Sequence, residues 1–175
     1  MSIPRADRTA GRGATVDSRQ PRYVISNLRE RPEFCDVVAD RIWQAWWKDA
    51  GHPLSRVHDH MQEMLDERPL PFGLVAHEEG RYLGSCLIIE CDLEERPQLA
   101  PWVAAVWVDP EYRSRGVGRT LVRRGERAAL DLGHDAVYLC ALPEKCSFYQ
   151  DLGWRPVEEG VGPHGLTVLS RSRES

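Results

Sequence analysis

Residues 106–121 read Val-Trp-Val-Asp-Pro-Glu-Tyr-Arg-Ser-Arg-Gly-Val-Gly-Arg-Thr-Leu. An apolar strand over Trp102–Val108 leads through Asp109-Pro110 into a basic turn, and the turn opens a helix over Val117–Leu132. Leu121, Val122, Ala128 and Leu132 recur on one side of that helix, as an amphipathic period requires. Gly116 and Gly118 let backbone N–H groups approach a ligand closely, and the helix start supplies unpaired donors and partial positive charge. Arg113, Arg115 and Arg119 add formal charge. These are the physical requirements of a pyrophosphate site. The spacing does not fit a P-loop, because Gly116 lies only two residues before Gly118 and Arg119-Thr120 follows. It does not fit a dinucleotide-binding fingerprint either, since Leu121 stands where the third glycine belongs. By themselves the same residues also fit a solvated basic turn.

Outward from this segment the chain alternates strands and helices. Upstream, Tyr23–Asn27 reads as a short strand. Pro32–Ala50 reads as a helix with Phe34, Val37, Val38, Ile42, Ala45 and Trp46 on its apolar face, and a second helix follows over about Ser55–Glu67. Phe72–His77 and Tyr82–Glu90 flank Glu78-Glu79-Gly80 as a hairpin. Downstream come a strand at Ala136–Leu142 and a short helix at about Glu144–Leu152 ending at Gly153. Strands near Trp154–Val157 and Leu166–Ser170 close the chain. The expected order is β-α-α-β-β-β-α-β-α-β-β, an α/β chain of the α+β type with helices packed on a mixed sheet. Residues 1–20 offer little to bury and read as a flexible tail, leaving 21–175 as a single domain.

Composition narrows the function. Lys plus Arg is 23 against 27 Asp plus Glu, a net charge of −4, which disfavours non-specific nucleic-acid binding. The longest uncharged run, Pro97–Val108, has twelve residues, whereas a membrane-spanning helix needs roughly twenty. Five cysteines without a CxxC pair argue against a disulfide framework or a zinc site, and the N-terminus lacks the apolar core of a signal peptide. A cytoplasmic protein without a metal is expected. His52, His58 and His60 read as surface histidines, and the cysteines as small core residues.

Arg113-Ser114-Arg115-Gly116-Val117-Gly118 resembles the Arg/Gln-x-x-Gly-x-Gly/Ala signature of the GNAT superfamily of N-acetyltransferases. The preceding Val-Trp-Val-Asp-Pro looks like that family's fourth strand with its usual exit. Phe148-Tyr149-Gln-Asp-Leu152-Gly153-Trp154 is similar to its Phe-Tyr-x-x-Leu-Gly-Phe motif. The resemblance implies a mostly antiparallel sheet flanked by helices and splayed between its fourth and fifth strands, with acetyl-CoA held in the opening. Carried over residue by residue, it implies that Val106, Trp107 and Val108 offer backbone groups to the pantetheine arm. Arg113, Ser114, Arg115, Gly116, Val117, Gly118, Arg119 and Thr120 would hold the pyrophosphate. One departure is that the segment Ala141-Leu-Pro-Glu-Lys145 lacks the Asn that many members carry there.

The chemistry implied is acetyl transfer to a primary amine of a small molecule or peptide, by direct attack in a ternary complex. A backbone N–H near Trp107 or Val108 would polarise the thioester carbonyl. Tyr149 would be the general acid. Glu90 or Asp92 is the candidate base; with Glu94 and Glu95 they form an acidic group that could attract a cationic amine, or simply a solvated loop. Trp43 or Trp47 could line an acceptor wall, while Trp46 belongs to the core stripe. Alternatives of other classes are a non-catalytic acyl-CoA sensor and a toxin that acetylates aminoacyl-tRNA. A homodimer is open.

Overall fold

The computed structural model describes residues 22–173; the reading of residues 1–20 as a tail lies outside them. The element order is the expected one. The strands are β1 (Val24–Asn27), β2 (Phe72–Glu78), β3 (Arg81–Ile89), β4 (Trp102–Val108), β5 (Ala136–Ala141), β6 (Arg155–Val161) and β7 (Leu166–Ser172). The α-helices are α1 (Cys35–Ile42), α2 (Leu54–Glu63), α3 (Val117–Asp131) and α4 (Cys146–Gln150). The strands form one seven-stranded sheet in the order β1-β2-β3-β4-β5-β7-β6. All neighbours are antiparallel except β4 and β5. No helix among the described residues is long and apolar enough to cross a membrane.

Alternation along the strands divides the core between the two faces of the sheet. Val137, Leu139 and Ala141 of β5 join Leu83, Val103 and the buried side of α3 on one face. Tyr82 and Leu87 of β3 pack with α1 and α2 on the other. There the Cys91–Pro101 loop adds Leu93 over Trp102 and Val168. Gly125 lets α3 sit close on the sheet, because a Cβ there would lie 3.1 Å from Ile88 Cδ1 and 3.5 Å from Val103 Cγ2. Gly125→Leu should therefore push α3 away and lower stability by about 1–3 kcal/mol, read from urea unfolding. An unchanged midpoint would show that α3 has slack at this contact.

One helix departs from expectation. The 3.6-residue period places Trp46 in the core stripe of a continuous helix, but the α-helix ends at Ile42 and Trp43–Trp47 forms a π-turn. There the Lys48 N–H donates to the Trp43 carbonyl at 2.8 Å. The wider turn advances less per residue, so the apolar face rotates and Trp46 emerges 48% exposed.

β4 carries the feature that opens the sheet. Ala105 has φ +48, and the β3–β4 register shifts opposite it, between Ser85 and Leu87. This bulge bends β4. β4 then meets β5 at a single pair, Trp102↔Tyr138, and the two strands diverge toward Val108.

Candidate active site

The opening between β4 and β5 is lined by backbone, and alternation decides which residues face it. The Trp107 carbonyl is directed at β3, since a Cβ on Gly84 would lie 2.6 Å from it. The Asp109 N–H donates to the Leu83 carbonyl at 2.9 Å, also on β3. Val106 and Val108 therefore turn their backbone groups the other way, toward β5. Sequence reasoning grouped Val106, Trp107 and Val108 as equivalent backbone contacts. The bulge and register make Trp107 the exception: its backbone is used inside the sheet and its side chain is what it presents.

At the end of β4 the chain makes a short helical turn, Pro110–Tyr112, and swings through Ser114 (φ +61) and Gly116 (φ +81) into α3. Gly116 is the residue before the first helical turn, in the left-handed region that glycine adopts without strain. The nearest atom to a Cβ there would be Tyr23 Oη at 3.9 Å, so the protein leaves this side of the turn open. The Thr120 hydroxyl donates to the Gly116 carbonyl at 3.1 Å and lies 2.9 Å from Tyr23 Oη. Thr120 thus braces the turn with its side chain, which is already occupied. Val117 is buried in the core and offers the turn only its backbone. Arg115 lies 3.6 Å from Glu78 Oε1 and over the Tyr112 ring, whereas Arg119 is exposed. Arg113 donates its Nε to the Val108 carbonyl at 3.0 Å and lies 5.1 Å from the Trp107 ring centroid. Left-handed glycine geometry, an open approach and unpaired helix-start N–H groups fit a pyrophosphate.

On the β5 side the structure separates the two candidate bases. Glu90 and Asp92 would face the same way in a continuing strand, but β3 ends at Ile89 and the chain bends away. Glu90 is exposed. Asp92 accepts a hydrogen bond from Cys140 Sγ at 3.2 Å. Although water reaches Asp92, surrounding protein atoms crowd its carboxyl, and this desolvation raises its pKa above the usual Asp value, partly offset by the Cys140 contact. The rest of the acidic group disperses. Glu95 lies over Gly162 in the β6–β7 turn, and Arg96 is tied to Glu158.

Tyr149, on α4, packs against the α3-side core and has its ring centroid 5.0 Å from that of Phe148. Burial pushes its phenol up to about 12. The cysteines expected as core residues include an exception here: Cys140 is only half-buried, because Tyr138 and Cys140 alternate to the face opposite Val137 and Leu139. Cys91 is exposed.

Asp109, given no role from the sequence, and Trp46, read there as core, both matter to the site. Asp109, 6% exposed, accepts from Arg41 and from the Trp107 indole. An acid directly after an apolar strand was the available signal, but its partner on α1 lies 68 residues away. Trp46, exposed by the π-turn, meets Trp107 edge-on at 6.0 Å. Trp43 and Trp47, either of which could have lined an acceptor wall or been simply half-buried, pack partly buried against the α1–α2 core. Trp43 donates to the His52 carbonyl at 2.8 Å, and Trp47 contacts the His52 and His60 rings. Among the described residues no group of three His, Cys, Asp or Glu is placed to hold a metal ion.

A splayed parallel pair beside a glycine turn at a helix start defines an acyl-CoA-type transferase fold, and comparison with known proteins agrees. The acetyltransferase (GNAT) family matches residues 39–154, more than half of the chain, and the chain belongs to that family. It is 38% identical over 61 residues to the Arabidopsis thaliana "GCN5-related N-acetyltransferase 2, chloroplastic", a match covering 33% of this chain but only 24% of that relative. Among solved structures it resembles an aminoglycoside 6'-N-acetyltransferase complexed with coenzyme A, with TM-score 0.66, 16% identity and coverage of 85% of this chain and 96% of that one. It also resembles mutant forms of the spermidine/spermine N-acetyltransferase of Vibrio cholerae, with TM-score 0.62, 12% identity and coverage of 86% and 94%. At these identities the likeness is one of fold.

Proposed function

We propose that this chain transfers the acetyl group of acetyl-CoA to a primary amine of a small molecule or peptide, by direct attack in a ternary complex. The observation that carries the reading is the continuity of the β4–β5 opening with the Arg113–Gly118 turn. One end accepts an extended arm and the other a pyrophosphate. Family membership supports the donor, and the acceptors named for the structural neighbours, an aminoglycoside and a polyamine, are both amines.

In this reading the backbone groups of Val106 and Val108 hold the pantetheine, and an N–H on this edge takes up charge developing on the thioester oxygen. The N–H groups opening α3, with Arg113 and Arg119, hold the pyrophosphate. Asp92 accepts the proton of the attacking amine, directly or through water, and Tyr149 returns a proton to the departing thiolate. Burial keeps the Tyr149 phenol protonated at working pH, so the donor form is always present. Purified full-length protein, acetyl-CoA and an amine panel, read by free thiol, test the reading. CoA release that depends on amine is expected; acetyl-CoA binding with no release from any amine would favour a sensor instead.

Asp92 yields a paired prediction. As base it acts ionised, so kcat/KM should fall with decreasing pH through a pKa above the ordinary Asp value of about 3.9. Because that pKa is raised in the folded state, ionisation at neutral pH costs stability; the stabilising contribution is present at low pH and lost as pH rises through the folded pKa. Asp92→Asn should therefore lower kcat/KM by about 10²- to 10⁴-fold while leaving Tm at pH 7 equal or higher. Retained activity would remove Asp92 as the base.

A further inference from the structure

Asp109 is a buried carboxylate, and burying a charge is costly unless it is fully paired. Arg41, in the last turn of α1, reaches it with two parallel bonds, Nε to Oδ1 at 2.7 Å and Nη2 to Oδ2 at 3.1 Å. The remaining nitrogen of that guanidinium, Nη1, donates to Asp40 at 2.7 Å, so Arg41 is itself anchored. A third bond comes from the Trp107 indole, Nε1 to Asp109 Oδ1 at 2.9 Å. That bond sets the plane of the ring, which meets the Trp46 ring edge-to-face and carries the Arg113 guanidinium over it. Arg113 is thus steered by two contacts, the Trp107 face and the Val108 carbonyl.

We propose that Asp109, pinned by Arg41, is a positioning residue that fixes the Trp107 indole as a platform and through it aims Arg113 at the cofactor pyrophosphate. The proposal rests on the reading of the Arg113–Gly118 turn as the cofactor site. Its physical basis is preorganisation. An arginine held over a fixed ring loses less freedom when it binds an anion than one over a ring free to turn. Neither Asp109 nor Arg41 need touch the cofactor for this to operate. The same platform contacts Trp46, which follows α1, so the α1 side of the molecule is mechanically joined to the cofactor turn.

A double-mutant cycle on the full chain tests it, with the dissociation constant of CoA measured by calorimetry. Asp109→Asn keeps the shape but breaks the charged fork. Trp107→Phe keeps an aromatic ring and the Arg41–Asp109 pair but removes the indole donor. Each is expected to weaken CoA binding by about 3- to 20-fold in the wild-type background. In an Arg113→Ala background each should change it by less than about twofold, because the side chain they act through is gone. KM for acetyl-CoA should rise more than kcat falls. Equal factors in both backgrounds would mean that the clamp is only structural, and would overturn the proposal while leaving the cofactor site standing. Should Asp109→Asn fail to fold, Trp107→Phe alone decides by the same criterion. If Arg113→Ala itself leaves CoA affinity unchanged, the cofactor reading of Arg113 fails, and this proposal fails with it.

Discussion

Tyr149→Phe is expected to lower kcat by about ten- to a thousandfold while the affinity for acetyl-CoA changes little. The ring packs against the α3-side core and the edge of Phe148, and phenylalanine keeps both contacts. What is lost is a single proton on a positioned oxygen. The departing group is a thiolate, whose ordinary thiol pKa is about 8.5. Without a donor it leaves as an anion in a partly desolvated opening, where charge is costly. Burial pushes the phenol up to about 12, so it remains protonated across the range in which the enzyme can be assayed. The deficit should therefore be the same at neutral and moderately alkaline pH. Single-turnover measurements of CoA release in both proteins check this. A wild-type kcat in the variant would make Tyr149 a packing residue, or protonation of the thiolate irrelevant to the rate.

The second large effect concerns ligand-linked stability. Acetyl-CoA at about one hundred times its dissociation constant should stabilise the protein by about 2.7 kcal/mol, a rise of several degrees in Tm for a chain of this size. Gly116→Asp should abolish that rise. Gly116 has φ +81, where a side chain is strained, so the variant loses some stability without ligand. The protein itself has room for the Cβ, the nearest atom being Tyr23 Oη at 3.9 Å. Loss of the ligand-induced shift therefore reports on the ligand: the added carboxylate occupies the approach to the turn and repels phosphate. Gly116→Asn separates the two contributions, because asparagine carries the backbone cost and the bulk without the charge. It should keep part of the shift. A full shift in Gly116→Asp would place the phosphates elsewhere.

Much of this architecture was legible because its signals are local. Helix period, strand alternation and the turn residues Glu79-Gly80 act over a few neighbours, and each element they announce is present. The Arg113–Gly118 turn was legible for the same reason: the donors, the left-handed glycine and the helix that follows are contiguous in the chain. Trp46 was misread because one π-turn changes the angular advance of the helix, and no single residue announces that change. The separation of Glu90 from Asp92 depended on where β3 releases its partner strand, which pairing decides rather than propensity.

The amino-acid sequence alone thus determined the class of fold, the order of its elements and the place of the glycine turn that opens α3, because short-range sterics and hydrogen bonding set them. Tertiary structure alone decided which backbone groups face the opening. The bulge at Ala105 and the β3–β4 register turn Val106 and Val108 toward β5 and Trp107 toward the helices. It also brought Cys140 to Asp92, 48 residues apart, and Arg41 to Asp109, 68 apart. Those pairings exist only after the sheet has formed and its faces are covered, since a charged or polar group finds a distant partner through the burial that forces it to seek one.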